Sequence, residues 1–205
     1  MIFLIEIKTY NSFLCKYISK RRYFVTHSTK INIILTIRSA SEFHNLVKKL
    51  MCSIMNLTPR KLNSFIVFKL PAAFLCGVRT KYLDEEKCIV TVKHRWINQN
   101  PFKSMFWAVQ GMAAEFSTGA LMMSKIQASG ARISMLVTSN SASFTKKATG
   151  RIAFTCKNGK EVDAVLKKAI DTKEGQTLTM RSVGINEEGI KVSTFNFEWS
   201  VKVKT

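Results

Sequence analysis

From Phe102 to Met123 apolar residues recur every three or four positions, at Phe102, Phe106, Val109, Met112, Ala113, Phe116, Ala120 and Met123, and a single acid, Glu115, interrupts the run. That period belongs to a helix, and a helix with so few charges needs cover on most of its sides. The rest of the chain therefore has to wrap it. Pro101 suits a first helical turn and Ser129-Gly130 a stop, so the pattern predicts a helix from Pro101 to about Ala128.

The flanking segments read mainly as strands. "VRTKYLDEEKCIVTVKHRW" alternates apolar and polar residues on either side of an acidic turn, the pattern of a hairpin. After the helix come "ISMLVTSNSASFTKKA", "TGRIAFTCKNG", "QTLTMRSVGINEEG" and "IKVSTFNFEWSVKVKT", four strand-like runs separated mostly by Gly or Asn-Gly turns. Between the second and third, "KEVDAVLKKAIDTKEG" fits a short helix or an irregular crossing. Ahead of the hairpin, "NLTPRKLNSFIVFKL" has a capping start and Pro59 at an early helical position, and must stop near Pro71. An antiparallel sheet around one buried helix, an α+β arrangement, satisfies both partners.

At 205 residues the chain suits one domain with an appendage. Residues 1–50 lack sustained periodicity and are rich in Ile, Lys, Asn, Phe and Tyr, like translated AT-rich DNA. We expect the natural start at Met51 or Met55, with the preceding segment a start-site artefact and 51–205 a single domain. The rival reading is a basic arm centred on "SKRRY" that binds nucleic acid.

The net charge of +19 invites phosphates, nucleic acid or an anionic surface without choosing among them. No helix-turn-helix, zinc finger or aromatic platform accompanies the basic residues, which disfavours nucleic acid as the partner. Five cysteines, Cys15, Cys52, Cys76, Cys88 and Cys156, form an odd set without a C-x-x-C pair, and no secretory signal precedes them. Reduced thiols in a cytoplasmic protein fit best. No apolar run is long enough to span a membrane, and His27, His44 and His94 have no metal-ligand spacing, so neither a membrane nor a metal or other cofactor is expected.

Residues 56–205 resemble the hotdog fold, and more narrowly its thioesterase-like members of the type called domain of unknown function 4442. The resemblance is carried by "LPAAFLCGVR", by "WINQNPFKSMFWAVQGMAAEFSTGAL" and by "FTKKATGRIAF". Acyl-CoA thioesterases of this superfamily place an Asn before the central helix, a His-Gly-Gly at its first turn and an acid further along. In this sequence Asn100 takes the first place, Phe106-Trp107-Ala108 the second and Glu115 the third, with Ser104 where a small hydroxyl residue is often found. The resemblance implies acyl-CoA as ligand, Asn100 as the residue that positions the reactants, a homodimer with its site at the subunit interface, and a role at the CoA phosphates for Lys146, Lys147 and Arg151. The match departs at its middle: Trp107 stands where a glycine lets the thioester carbonyl approach backbone N–H groups.

Spacing supplies an argument independent of the family. Ser104, Ala108, Gly111, Glu115 and Thr118 lie four, three, four and three residues apart, one stripe of a helix on which every member but Glu115 is small. Such a stripe lines a narrow groove, with the carboxylate desolvated into the range of a general base, or else lets a sheet or second subunit approach closely with Glu115 hydrogen-bonded. Two functions remain: hydrolysis of an acyl-CoA thioester by Glu115, or non-catalytic binding of an acyl or aromatic ligand, or a dimeric scaffold, with Trp107 filling the site.

Overall fold

A computed structural model of the chain describes residues 57–204. The boundary expected near residue 50 and the origin of the preceding segment lie outside the described residues. Helix α1 spans Pro59–Lys69. Thr58 caps it, its hydroxyl accepting from the Lys61 N–H at 3.3 Å, and Leu62 and Ile66 form its buried face. Pro71 cannot continue the hydrogen-bond ladder, so Leu70 leaves helical geometry there. The same proline then opens a second short helix, α2, Pro71–Leu75, which the sequence reading did not separate.

The hairpin forms as expected, β1 over Arg79–Leu83 and β2 over Cys88–Lys93. His94, expected on the strand, lies just beyond it. After a 3-10 turn at Trp96–Asn98 comes the central helix α3, Trp107–Ser129, closed by Gly130 in the left-handed conformation. Strands β3 (Ile133–Phe144) and β4 (Arg151–Cys156), helix α4 (Gly159–Thr172), and strands β5 (Gln176–Ile185) and β6 (Lys191–Val203) complete the fold. The segment left open between helix and crossing is thus a helix.

All six strands pair antiparallel in the order β1-β2-β4-β5-β6-β3. Ile152, Phe154, Met180, Phe195, Phe197 and Trp199 cover the helix from the sheet side, and Ala113, Ala114, Phe116, Ala120, Leu121 and Met122 meet them from α3. This is the hotdog arrangement that the sequence resembles. Three buried polar ties fix the helix against the sheet: Ser117 Oγ to Ser182 Oγ at 2.8 Å, Ser193 Oγ donating to Gln110 Oε1 at 2.9 Å, and Trp199 Nε1 donating to Thr118 Oγ1 at 3.1 Å. Each buries polar atoms without leaving them unpaired. Helix α4 joins α3 through Lys125 Nζ and Asp163 Oδ2 at 2.6 Å.

The start of α3 differs from the expectation by six residues. Pro101 opens a closed turn instead of a helix, because the Asn100 Oδ1 accepts from the N–H groups of Phe102 at 3.0 Å and Ser104 at 3.2 Å. The Asn100 N–H donates to the Ser104 carbonyl at 2.7 Å, and Lys103 takes a left-handed φ of 56°. Phe102 and Ser104 are therefore off the helix, and Phe106 is its cap residue. Short polar side chains that bind their own backbone compete with helix formation in this way.

Candidate functional site

The turn that precedes α3 holds two of the expected site residues together. Asn100 Nδ2 lies 3.1 Å from Ser104 Oγ, which in turn lies 3.2 Å from Asn100 Oδ1, so the amide is largely engaged in shaping its own loop. Asn98, two residues earlier, is buried and saturated: its Oδ1 accepts from the Arg95 N–H at 2.7 Å and its Nδ2 donates to the carbonyls of Cys76 and Lys93, each at 2.9 Å. Its own carbonyl accepts from the Phe106 N–H at 2.8 Å, while the Met105 N–H donates to Ala148 at 2.8 Å. These bonds anchor the first residue of the helix from both sides.

What they leave open is the helix terminus. No side chain caps α3, and the N–H groups of Val109 and Gln110 both turn to the Phe106 carbonyl, at 3.1 and 3.3 Å. Among the described residues the N–H groups of Trp107 and Ala108 have no hydrogen-bond partner. They point out of the positive end of a 23-residue helix, where a developing negative charge is stabilised. Phe106 and Trp107 pack edge to face at 5.9 Å and project outward, Trp107 being 57% exposed.

The small-residue stripe divides in two. Ala108 is half-buried and Glu115 exposed in the single chain, forming an open face, while half-buried Gly111 lies at its edge toward the sheet, where a side chain would stand 3.6 Å from the Phe195 ring of β6. Thr118 is buried on the sheet side, its hydroxyl accepting from Trp199 and donating to the Glu115 carbonyl at 2.8 Å. Ser104 is buried in the preceding turn, away from the helix itself. The Glu115 carboxyl has no partner among the described residues, and the protein around it raises its pKa above the ordinary carboxylate value by desolvation alone.

Lys146 and Lys147 are exposed in the loop between β3 and β4, whose Ala148 carbonyl holds Met105, so this loop lies beside the helix start. Arg151 is already engaged. Glu187 accepts from its backbone N–H at 3.2 Å and pairs with its Nε at 3.8 Å. Cys88 and Cys156 face each other across β2 and β4, and burial pushes their thiols up to about 12 and about 11, which suits inert core residues.

Sequence reasoning passed over Gln110, read as a residue beside the stripe. It is buried, donates to the Met105 carbonyl at 3.2 Å and accepts from Ser193, tying the helix start to β6. Its signal was a lone amide within an apolar helical run.

The family model described as a domain of unknown function, DUF4442, matches residues 59–201. The chain belongs to the DUF4442 family. Among solved structures, this DUF4442 protein is similar to a probable thioesterase from Pseudomonas aeruginosa, with a TM-score of 0.62 at 16% identity over 73% of this chain and 99% of the other. It is also similar to a protein of unknown function from Chlorobaculum tepidum, with a TM-score of 0.63 at 18% identity over 73% and 99%. A thioesterase from Haemophilus influenzae follows, with a TM-score of 0.56 at 12% identity over 72% and 92%. At such identities the likeness concerns the fold. Among curated proteins none matches the chain. No helix among the described residues is long and apolar enough to cross a membrane.

Proposed function

We propose that this DUF4442 protein is a homodimeric acyl-CoA thioesterase in which Glu115 is the general base. The observation that carries this reading is an unpartnered, desolvated carboxylate on the one open face of a helix that is otherwise tied into its sheet. In the proposed reaction Glu115 takes a proton from water as the oxygen attacks the thioester carbonyl. The tetrahedral oxyanion is held by the N–H groups of Trp107 and Ala108, and its collapse expels the CoA thiolate, which takes up the proton.

Distance makes the dimer part of the proposal. Trp107 and Ala108 precede Glu115 by eight and seven residues, about 11 Å along the axis at ~1.5 Å per residue. One carbonyl cannot meet both groups on a single helix. A second chain packed antiparallel against the Ala108-Gly111 face brings the acid of one protomer to the helix start of the other. The long strand β3, an edge of the sheet among the described residues, supplies the backbone groups to pair with its own copy. Asn100 then acts by holding the loop that positions the helix start, and Lys146 and Lys147 meet the polar end of the ligand.

A second reading has its own observation. Trp107 stands at the mouth of the site, which suits a protein that binds an acyl or aromatic ligand without turning it over. Released thiol, measured with short, long and aromatic acyl-CoAs on the full chain beside Glu115→Gln, separates the two. Turnover lost in the variant supports catalysis, and a folded dimer with no turnover on any substrate supports binding.

A further inference from the structure

Two arginines away from the helix start are brought together without an acid. Arg79, at the beginning of β1, donates through Nη1 to the carbonyls of Phe74 at 3.1 Å and Val78 at 2.7 Å, and its guanidinium lies 4.1 Å over the centroid of the Phe74 ring. Three contacts fix its plane and leave Nε and Nη2 without an acceptor among the described residues. Arg95, just beyond β2, lies with its guanidinium against the α carbon of Gly77, at a place where any side chain would collide with it. Gly77 takes a φ of +88°, and that conformation is what calls for glycine there, since the tip of Arg95 could move aside.

Among the described residues the Arg95 guanidinium has no hydrogen-bond acceptor, although Asn98 fixes its backbone at 2.7 Å. Among the described residues no carboxylate pairs with either arginine. Burial, and then the charge of Arg95, lower the pKa of Arg79 from its ordinary value. The Phe74 carbonyl that Arg79 binds also accepts from the Gly77 N–H at 3.0 Å, and Arg95 lies on Gly77, so the two guanidiniums flank one turn, where like charges repel and an anion between them removes the repulsion. Trp96 follows immediately and is 84% exposed, a flat apolar face beside a pair of forked donors.

We propose that Arg79 and Arg95 form a phosphate subsite, with Trp96 as the stacking face for an aromatic base attached to that phosphate. Guanidinium forks match phosphate oxygens in pairs, and an exposed indole offers what a purine needs. The chemistry named is a phosphorylated adenosine. Only the identity of its carrier, CoA, rests on the proposed function. Asn98 bonds both the Arg95 N–H and, through its carbonyl, the Phe106 N–H, so the subsite and the helix start share one anchored segment.

The test is binding to the full chain followed by calorimetry and tryptophan fluorescence, with CoA, dephospho-CoA, adenosine 3′,5′-bisphosphate and inorganic phosphate as probes. Arg95→Gln should weaken CoA about tenfold or more, as loss of a charged hydrogen bond does, with no loss of Tm, because it relieves the repulsion on Arg79 and breaks no hydrogen bond or ion pair among the described residues. Arg95→Lys should recover part of the loss. Trp96→Ala should weaken CoA and adenosine bisphosphate but leave inorganic phosphate unaffected. A loss with CoA alone assigns the 3′-phosphate to the site, and an equal loss with dephospho-CoA assigns the diphosphate; both support the subsite. Arg95→Gln that binds every probe as tightly as the wild type, or a wild type that binds none of them, overturns it. Binding that depends on Arg95 in a chain without hydrolysis retains the subsite and removes the proposed catalysis.

Discussion

The two faces of α3 follow opposite rules. Toward the sheet, Ala113, Phe116, Ser117, Ala120 and Leu121 are packed, and their polar members are all paired. On the other face, Ala108 and Glu115 offer little apolar volume and an acid with no partner among the described residues. The first face spends its chemistry on holding the helix still. The second has none of those ties, and small residues there contribute little to a core, which is why it is the place to look for a ligand or a second chain.

The comparison breaks first at Glu115. Glu115→Gln should reduce hydrolysis of the best acyl-CoA by at least about a hundredfold, the scale of a lost general base, with the fold intact by circular dichroism. Leu121→Ala, on the packed face and fully buried, should destabilise the chain by about 2–5 kcal/mol in urea titration. It should leave the hydrolysis rate per folded chain nearly unchanged. Removal of one polar tie is milder: Ser182→Ala should lose about 1 kcal/mol, because Ser117 keeps its 2.7 Å bond to the Ala114 carbonyl.

The smallest effect is the pH dependence of the open face. Desolvation raises the folded pKa of Glu115, so the fold favours its protonated form. That contribution is present below the unfolded pKa and is lost as pH rises through the raised folded value, so Glu115→Gln should slightly raise Tm at neutral pH and leave it unchanged in acid. Activity runs the other way. Hydrolysis should fall as pH drops through the same raised pKa, and a pH–rate profile without an acid limb above the ordinary carboxylate range would remove Glu115 from the reaction.

Much of this was legible because its cause is local. The period from Val109 to Met123 fixed the helix, the acidic turn fixed the hairpin, and alternation fixed β3 to β6. Glu115 was conspicuous as the lone acid in an apolar run. Where the chain closes on itself the reading ran out. The Asn100 amide shortens α3 by six residues through bonds that no periodicity records, and it takes Ser104 off the stripe. Thr118 sits within the spacing of the open face, yet Trp199, eighty-one residues later, claims its hydroxyl. Arg95 reaches Gly77, and Arg79 the Phe74 carbonyl of the same turn, only after α2 and the hairpin have folded. Strand order is likewise nonlocal, for β3 pairs with β6 beyond two intervening strands and a helix.

The two rims of the sheet are unequal. At β1, five residues long and irregular between Thr80 and Tyr82, the Asn63 side chain already occupies both backbone groups of Thr80, at 2.8 and 3.0 Å. At β3, twelve residues run along the outer side with no neighbouring strand among the described residues. A sheet with one blocked rim and one open rim can be extended from one side only. In the proposed dimer, union of two such rims about a twofold axis would leave two blocked ones, so growth would end at a pair and not run on into a filament.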